Sequence, residues 1–339
     1  MLHIETKGSW YDMGRQLGSK FSDELGRCID RFVGLMKSRG RDLGPAISRV
    51  RADVQSRCPE LLEETAGMAE GSGIEEIEVF SLRFYGNLAM EIGCASFYVQ
   101  DESGEAWLGR TVDIEPEDHW QMICQVHRPA DGCAMLTTSY LGMPGPTGVN
   151  EHGLAFGSAS AQTRDTYGDT GVFSSLVGFR AMRDCSSVKE AVRLLTAEPI
   201  LGKGAVMLVA DASGASCLLP VVPGRKVEPI PRKPDMRWQA CTNFQPSRDV
   251  PDREIPGGLY NPYARYGWMA HQLGDDQAPA TRAGAEKVVR GLAQPGTVVP
   301  KGAVTLPTGY STLIELRSLS FYLAPGNPNQ VQFEKVEFP

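Results

Sequence analysis

Between Met13 and Met36, apolar side chains recur at Met13, Leu17, Phe21, Leu25, Ile29, Phe32, Leu35 and Met36. Steps of three and four residues place them on one stripe of a helix that faces a core. Pro59 to Met68 repeats the helical pattern and meets Gly71-Ser72-Gly73 as a stop, and Glu75 to Met90 reads as a third helix delivering the chain to Gly93. At Cys94 the period changes. Cys94 to Val99 and Ala106 to Val112 are extended runs joined by the turn residues Asp101-Glu102-Ser103-Gly104. Met122 to Val126, Met135 to Tyr140 and Ala155 to Ser160 are further short strands. Residues 174 to 197 return to helix, with Ser186 or Ser187 capping Val188 to Leu195. Ala205 to Ala210 and Ser216 to Val222 flank Asp211-Ala212-Ser213-Gly214 as a hairpin. Trp238 to Phe244 is strand-like. A loop over 245 to 260 leads to helices from Asn261-Pro262 to about Leu273 and from Ala280 to Leu292. Ser311 to Leu316, Leu319 to Leu323 and Gln330 to Phe338 alternate as a terminal meander. Helices flank the strand-rich blocks, and neither a repeat nor a long linker divides the chain. The expectation is one α+β domain of two sheets covered by helices.

Composition narrows the function classes. At 339 residues, 42% hydrophobic and 22% charged, the chain is of ordinary globular type. A net charge of −7 without a basic block argues against nucleic acid and against an anionic membrane surface as partners. No window approaches 18 uninterrupted apolar residues, and Met1 to Gly8 lacks the pattern of a secretion signal, so a cytoplasmic protein with no membrane partner is expected. Eight cysteines are scattered without a Cys-x-x-Cys, and no two histidines are spaced as zinc ligands; neither metal nor cofactor is expected. Leu141-Gly142-Met143-Pro144-Gly145-Pro146-Thr147-Gly148 lacks the Lys-Ser/Thr end of a phosphate loop and reads as a tight turn beside a pocket. The acidic run from Asp113 to His119 contains a proline and reads as solvated surface, Asp113 apart.

The hairpin carries the candidate chemistry. Its two strands bring Cys94 near Arg110 and Asp113, placing a thiol, a permanent positive charge and a carboxylate together. A buried cysteine is ordinarily small apolar filler, and the other seven are read that way. Gly93, a flexible residue just before the thiol, sets Cys94 apart, and the group is read as a reactive centre.

Gly93-Cys94-Ala95-Ser96-Phe97 followed by Gly109-Arg110-Thr111-Val112-Asp113 resembles the start of the mature chain in N-terminal-nucleophile (Ntn) amide hydrolases. The branch it is similar to is the acyl-coenzyme A:isopenicillin N (penicillin) acyltransferase family, related to the choloylglycine hydrolases. Arg110 and Asp113 follow Cys94 by the family's intervals of sixteen and nineteen residues. Gly8 to Gly14 with Gly18, Pro59 to Gly71, and Asn150-Glu151-His152-Gly153-Leu154 also match, so the resemblance runs from Gly8 to the final strands. It implies a four-layer αββα sandwich with a mainly helical N-terminal segment. Residues 1–93 would form a pro-segment packed on the core, and 94–339 the catalytic chain after self-cleavage between Gly93 and Cys94.

The resemblance also implies roles. Freed by cleavage, the α-amine of Cys94 would serve as base for its own thiol, since such amines titrate near ~8. Arg110 would stabilise the thiolate or hold a substrate carboxylate, and Asp113 would orient the α-ammonium. Asn243 corresponds to the asparagine that donates to the oxyanion, and Arg265 to a helical arginine near the nucleophile. Ser160 falls where relatives often carry Asn or Tyr as a second oxyanion contact, which leaves that donor open. Asn150 is read as a turn former ahead of a pocket residue. The expected activity is hydrolysis of a linear amide C–N bond in a small N-acyl amide, through an acyl-cysteine. The alternatives are acyl transfer to an amine at the same site, an unprocessed binding or scaffold protein of the same fold, and a Cys-His protease that acts without cleavage. A homo-oligomer is compatible with each.

Overall fold

The computed structural model describes residues 1–38, 44–85, 93–145, 147–163, 172–202, 204–246, 250, 262–274, 280–293 and 306–338. The strands in chain order begin with β1 (Leu2–Gly8), β2 (Gly93–Gln100), β3 (Ala106–Asp113), β4 (Met122–Pro129), β5 (Met135–Tyr140), β6 (Gly148–Asn150) and β7 (Ala155–Ser160). There follow β8 (Val172–Phe173), β9 (Ile200–Leu201), β10 (Ala205–Ala210), β11 (Ser216–Val221) and β12 (Ile230–Pro231). The last are β13 (Trp238–Cys241), β14 (Thr308–Glu315), β15 (Ser320–Ala324) and β16 (Glu334–Val336). One sheet of eight strands has the order β1-β4-β5-β6-β7-β10-β11-β12, and a second of six has the order β13-β2-β3-β14-β15-β16.

The two sheets face each other across a core that includes Tyr98, Leu108, Val112, Tyr310 and Ile314 from the smaller sheet and Ile123, Leu136, Ala155, Val206 and Leu208 from the larger. The outer face of the larger sheet packs Met135, Phe156, Met207, Val209 and Leu219 against helices α7 (Ser174–Asp184) and α8 (Val188–Leu195). The outer face of the smaller sheet packs Phe97, Val99, Trp107 and Leu313 against α9 (Pro262–Gly274) and α10 (Arg282–Leu292). Period-2 alternation within β2 and β3 feeds both cores at once. This is the αββα order expected.

The N-terminal helices are α1 (Trp10–Lys20), α2 (Ser22–Cys28), α3 (Gly34–Ser38), α4 (Gly44–Arg57), α5 (Glu60–Ser72) and α6 (Glu76–Tyr85). The helix expected to run unbroken from Met13 to Met36 is interrupted at Phe21 and again by a π-helical turn over Ile29–Val33. These adjustments keep Phe21, Leu25, Ile29, Phe32 and Val33 all buried. Helices α1 and α5 touch through glycines: a Cβ on Gly14, Gly18, Gly67 or Gly71 would meet the backbone of the other helix far inside contact distance. Gly14, Gly18, Gly67 and Gly71 of the two family-like segments are thus explained by packing.

The strand β1 was not expected from the pattern. It pairs in parallel with β4, burying Ile4 and Thr6 while His3, Glu5 and Lys7 face out. An edge strand with two inward side chains is too short a signal to read ahead of a long helix. Within Gln330–Phe338 only Glu334–Val336 is strand. The expected helix beyond Tyr85 and most of the 245–260 loop, Leu259 and Tyr260 included, lie outside the described residues. Among the described residues no helix is long and apolar enough to cross a membrane.

Candidate active site

Gly93 and Cys94 are consecutive residues of β2, so residue 94 presents an amide nitrogen. Antiparallel register places Gly93 opposite Asp113, Cys94 opposite Val112 and Ser96 opposite Arg110. The pleat then sorts the charged groups. Cys94 and Arg110 point between the sheets, while Asp113 and Thr111 point to the helical side.

Between the sheets, Arg110 Nη2 lies 3.4 Å from Cys94 Sγ, its Nη1 donates to Tyr310 Oη at 2.9 Å and to Thr147 Oγ1 at 3.3 Å, and its Nε donates to the Ser158 carbonyl at 3.2 Å. The fork is held on three sides and aims its remaining nitrogen at the thiol. The Tyr310 hydroxyl in turn donates a hydrogen bond to Thr138 Oγ1 at 3.3 Å. Burial pushes the Cys94 thiol above its ordinary value, and the Arg110 charge opposes that rise.

On the helical side, Arg265 from the first turn of α9 pairs with Asp113 Oδ2 at 2.6 Å and donates to Thr111 Oγ1 at 3.0 Å. Thr308 donates to Asp113 Oδ1 at 2.7 Å. Burial raises the Asp113 carboxyl, with Arg265 and then Thr308 pulling the other way. Strand β14 serves both faces through an irregularity between Thr308 and Tyr310, where Gly309 is the extra residue. Such a bulge breaks the alternation, so Thr308 keeps to the side of Asp113 and Tyr310 to the side of Arg110.

Asn243 joins the two faces. Strand β13 pairs Cys241 with Ser96, so the chain two residues later runs beside Cys94. Asn243 Oδ1 accepts from the Cys94 backbone N–H at 3.1 Å and from Arg265 Nη1 at 3.4 Å, and its Nδ2 donates to the Ser160 carbonyl at 2.6 Å. Cys94, Arg110, Asp113, Asn243 and Arg265 therefore form one buried network. Ser160 enters it through its carbonyl, while its buried hydroxyl has no hydrogen-bond partner.

Asn150 is not brought to this centre. Its Nδ2 donates to the carbonyls of Met182 and Cys185, both at 2.8 Å, and its Oδ1 accepts from the backbone of His152 and Leu154. It ties the turn after β6 to the end of α7, the turn-forming role. The pocket expected along 141–148 also divides. Thr147 reaches Arg110, but Met143 lies with Glu64, Arg83, His127 and Leu17 beneath the N-terminal helices. Beside Asn243, Phe244 stacks on the exposed Tyr263 (4.8 Å between centroids, 28° between planes) and meets Tyr266 edge-on.

Sequence reasoning missed Tyr310, Thr308, Thr111, Thr138 and Thr147. Thr308-Gly309-Tyr310-Ser311-Thr312 is polar for a strand whose every residue is buried, and that density of hydroxyls was the available signal.

Residues 99–254 match the family model described as acyl-coenzyme A:6-aminopenicillanic acid acyl-transferase. The match includes Arg110, Asp113 and Asn243 and begins five residues after Cys94. The 40 kDa form of acyl-coenzyme A:6-aminopenicillanic-acid-acyltransferase from Emericella nidulans is 26% identical over 228 residues, spanning 63% of this chain and 62% of that protein. Among solved structures, a variant of conjugated bile acid hydrolase from Clostridium perfringens is similar with a TM-score of 0.53 and 13% identity, over 73% of this chain and 97% of that one. Penicillin V acylase from Agrobacterium tumefaciens has a TM-score of 0.49 and 15% identity, over 68% and 83% of the two chains. The fold is that of the Ntn hydrolases.

Proposed function

We propose that this chain, an Ntn-fold relative of the acyl-coenzyme A:6-aminopenicillanic acid acyl-transferases, is a self-processing cysteine amidohydrolase acting on a linear amide C–N bond. The observation that carries the reading is Arg110 at the thiol of Cys94 and Asn243 Oδ1 at its backbone nitrogen, with Asn243 joined through Arg265 to Asp113.

Cys94 Sγ attacks the Gly93 carbonyl to form a thioester, the C–N bond breaks and the nitrogen takes the thiol proton as the α-amine of Cys94, and water hydrolyses the thioester to the Gly93 carboxylate and the free thiol. The products are a 1–93 pro-segment and a 94–339 catalytic chain. In turnover the α-amine takes the thiol proton, sulfur adds to the substrate carbonyl, the amine product departs with a proton, and water releases the acid from the acyl-cysteine. Arg110 favours the thiolate. Asp113, held by Arg265 and Thr308, orients the new α-ammonium. The Asn243 side-chain amide is assigned to the oxyanion, with the Ser160 hydroxyl as the other donor. The Phe244–Tyr263 stack beside Asn243 supports a small N-acyl amide with an apolar acyl group. The free thiols of all eight cysteines fit a reducing, cytoplasmic setting.

The family match over 99–254 favours one second reading, acyl transfer to an amine at the same centre. Both readings predict two fragments, of 93 and 246 residues, in the denatured wild type and one species in Cys94→Ala, by intact mass. A single full-length species in both samples would overturn self-processing. Partition of the acyl group between water and an added amine separates hydrolase from transferase.

A further inference from the structure

A second cluster of chemically capable side chains lies at the outer corner of the larger sheet. Cys133 precedes β5, and Glu151 and His152 form the turn between β6 and β7. Register brings them together, because Met135 pairs with Asn150 and the Glu151 N–H donates to the Ala134 carbonyl at 2.9 Å. Cys133 Sγ, a Glu151 carboxylate oxygen and a His152 ring nitrogen all lie within 4.8 Å of one another. We propose that Cys133, Glu151 and His152 bind one zinc(II) ion as a three-residue site whose fourth position is left to solvent.

The donor set is thiolate, imidazole and carboxylate, a mixture suited to a borderline-soft ion and used in tetrahedral geometry by zinc. Ligand bonds of about 2.0–2.3 Å bring tetrahedral donor atoms within about 4 Å of one another. Side-chain rotation at the exposed Glu151 and His152 closes the remaining gap. Neither the Glu151 carboxylate nor the His152 ring has a hydrogen bond or ion pair among the described residues. The turn itself is rigid, since Asn150 Oδ1 holds the N–H groups of His152 and Leu154. The surroundings favour a cation. Cys133 Sγ lies against the last carbonyls of α7, 3.0 Å from Arg183 O and 3.5 Å from Met182 O, at the negative end of the helix. The Arg183 guanidinium nearby is already committed to Glu60 and Asp184.

Binding replaces the S–H bond by a sulfur–zinc bond and releases one proton to solvent. No oxidant or further reactant is needed. The site is separate from Cys94 and uses none of its partners.

Cobalt(II), which reports thiolate ligation by a charge-transfer band in the near ultraviolet, tests this on the reduced, metal-free full chain. One equivalent is expected to produce the band, and zinc(II) to abolish it by displacement. Cys133→Ser should remove the band, Cys94→Ser should keep it, and Glu151→Gln or His152→Ala should weaken binding by roughly tenfold or more. The absence of a band in the wild type would overturn the proposal. So would its survival in folded Cys133→Ser, its loss in Cys94→Ser, or its indifference to both exposed variants. Should circular dichroism show Cys133→Ser unfolded, the exposed variants decide, because neither side chain contributes to the core.

Discussion

In the proposed reaction the role given to Arg110 depends on the shape of its side chain. Its guanidinium meets Ser158, Thr147, Tyr310 and Cys94 with separate nitrogens or N–H vectors, which a lysine ammonium cannot reproduce. Because a nearby positive charge favours the thiolate, weakening it raises the thiol's titration midpoint. Arg110→Gln is expected to move the pH midpoint of Cys94 alkylation upward by about one unit or more, read by mass spectrometry of the labelled peptide. An unmoved midpoint would detach Arg110 from the thiolate. Thr308→Val removes the hydroxyl that donates to Asp113 and leaves that carboxylate more dependent on Arg265. The Asp113 carboxyl then titrates higher. The acid limb of kcat should shift to higher pH, with KM nearly unchanged.

At the scale of elements, the glycine contacts of α1 and α5 decide how the N-terminal helices seat. A methyl group at Gly14 would press on the Glu64 carbonyl, which is backbone and cannot swing aside. Gly14→Ala should destabilise by about 1–3 kcal/mol in urea unfolding, the usual cost of overpacking. Gly26 in α2 has nothing within 4 Å of the corresponding position. There the same substitution should stabilise by about 0.5–1 kcal/mol, through lower entropy of the unfolded chain. Equal effects at the two sites would refute the packing account.

For the whole molecule, the segment before Cys94 is woven in and not merely laid on. Strand β1 completes an edge of the larger sheet, and the buried pair of Arg83 with Glu64 sits against His127 of β4 at the junction of the N-terminal helices and the sheet. If the chain is cleaved at Gly93–Cys94 as proposed, residues 1–93 should co-elute with 94–339 in size-exclusion chromatography and separate only in denaturant; separation in native buffer would count against this. The junction also carries a pH signature. Burial depresses His127 from 6.5 to about 4, while its Nε2 faces Thr137 Oγ1 at 3.0 Å. Between those values the unfolded chain binds the proton and the folded chain does not, so stability falls as pH drops from about 6.5 toward 4. The loss attributable to this ring is on the order of 3 kcal/mol. His127→Gln should flatten that part of the stability–pH curve.

The sequence alone determined most of the elements and singled out Cys94 as the candidate nucleophile. Periodicity of 3.6 or 2 is a local property, so the helices, most of the strands and the hairpin of Cys94, Arg110 and Asp113 were legible, as was the likeness carried by their spacing. The edge strand β1 and the breaks at Phe21 and Ile29–Val33 were not, because each depends on what packs against it. The partners of the network were decided only by tertiary structure. Thr308 reaches Asp113 across 195 residues and Asn243 reaches Cys94 across 149, contacts that no local pattern encodes. The same holds for Asn150, whose side chain could serve a turn or a pocket until the end of α7 took its hydrogen bonds, and for Cys133, which only sheet register sets beside Glu151 and His152. Chain chemistry is written residue by residue, whereas the field around each group comes from whatever the fold brings within a few ångströms.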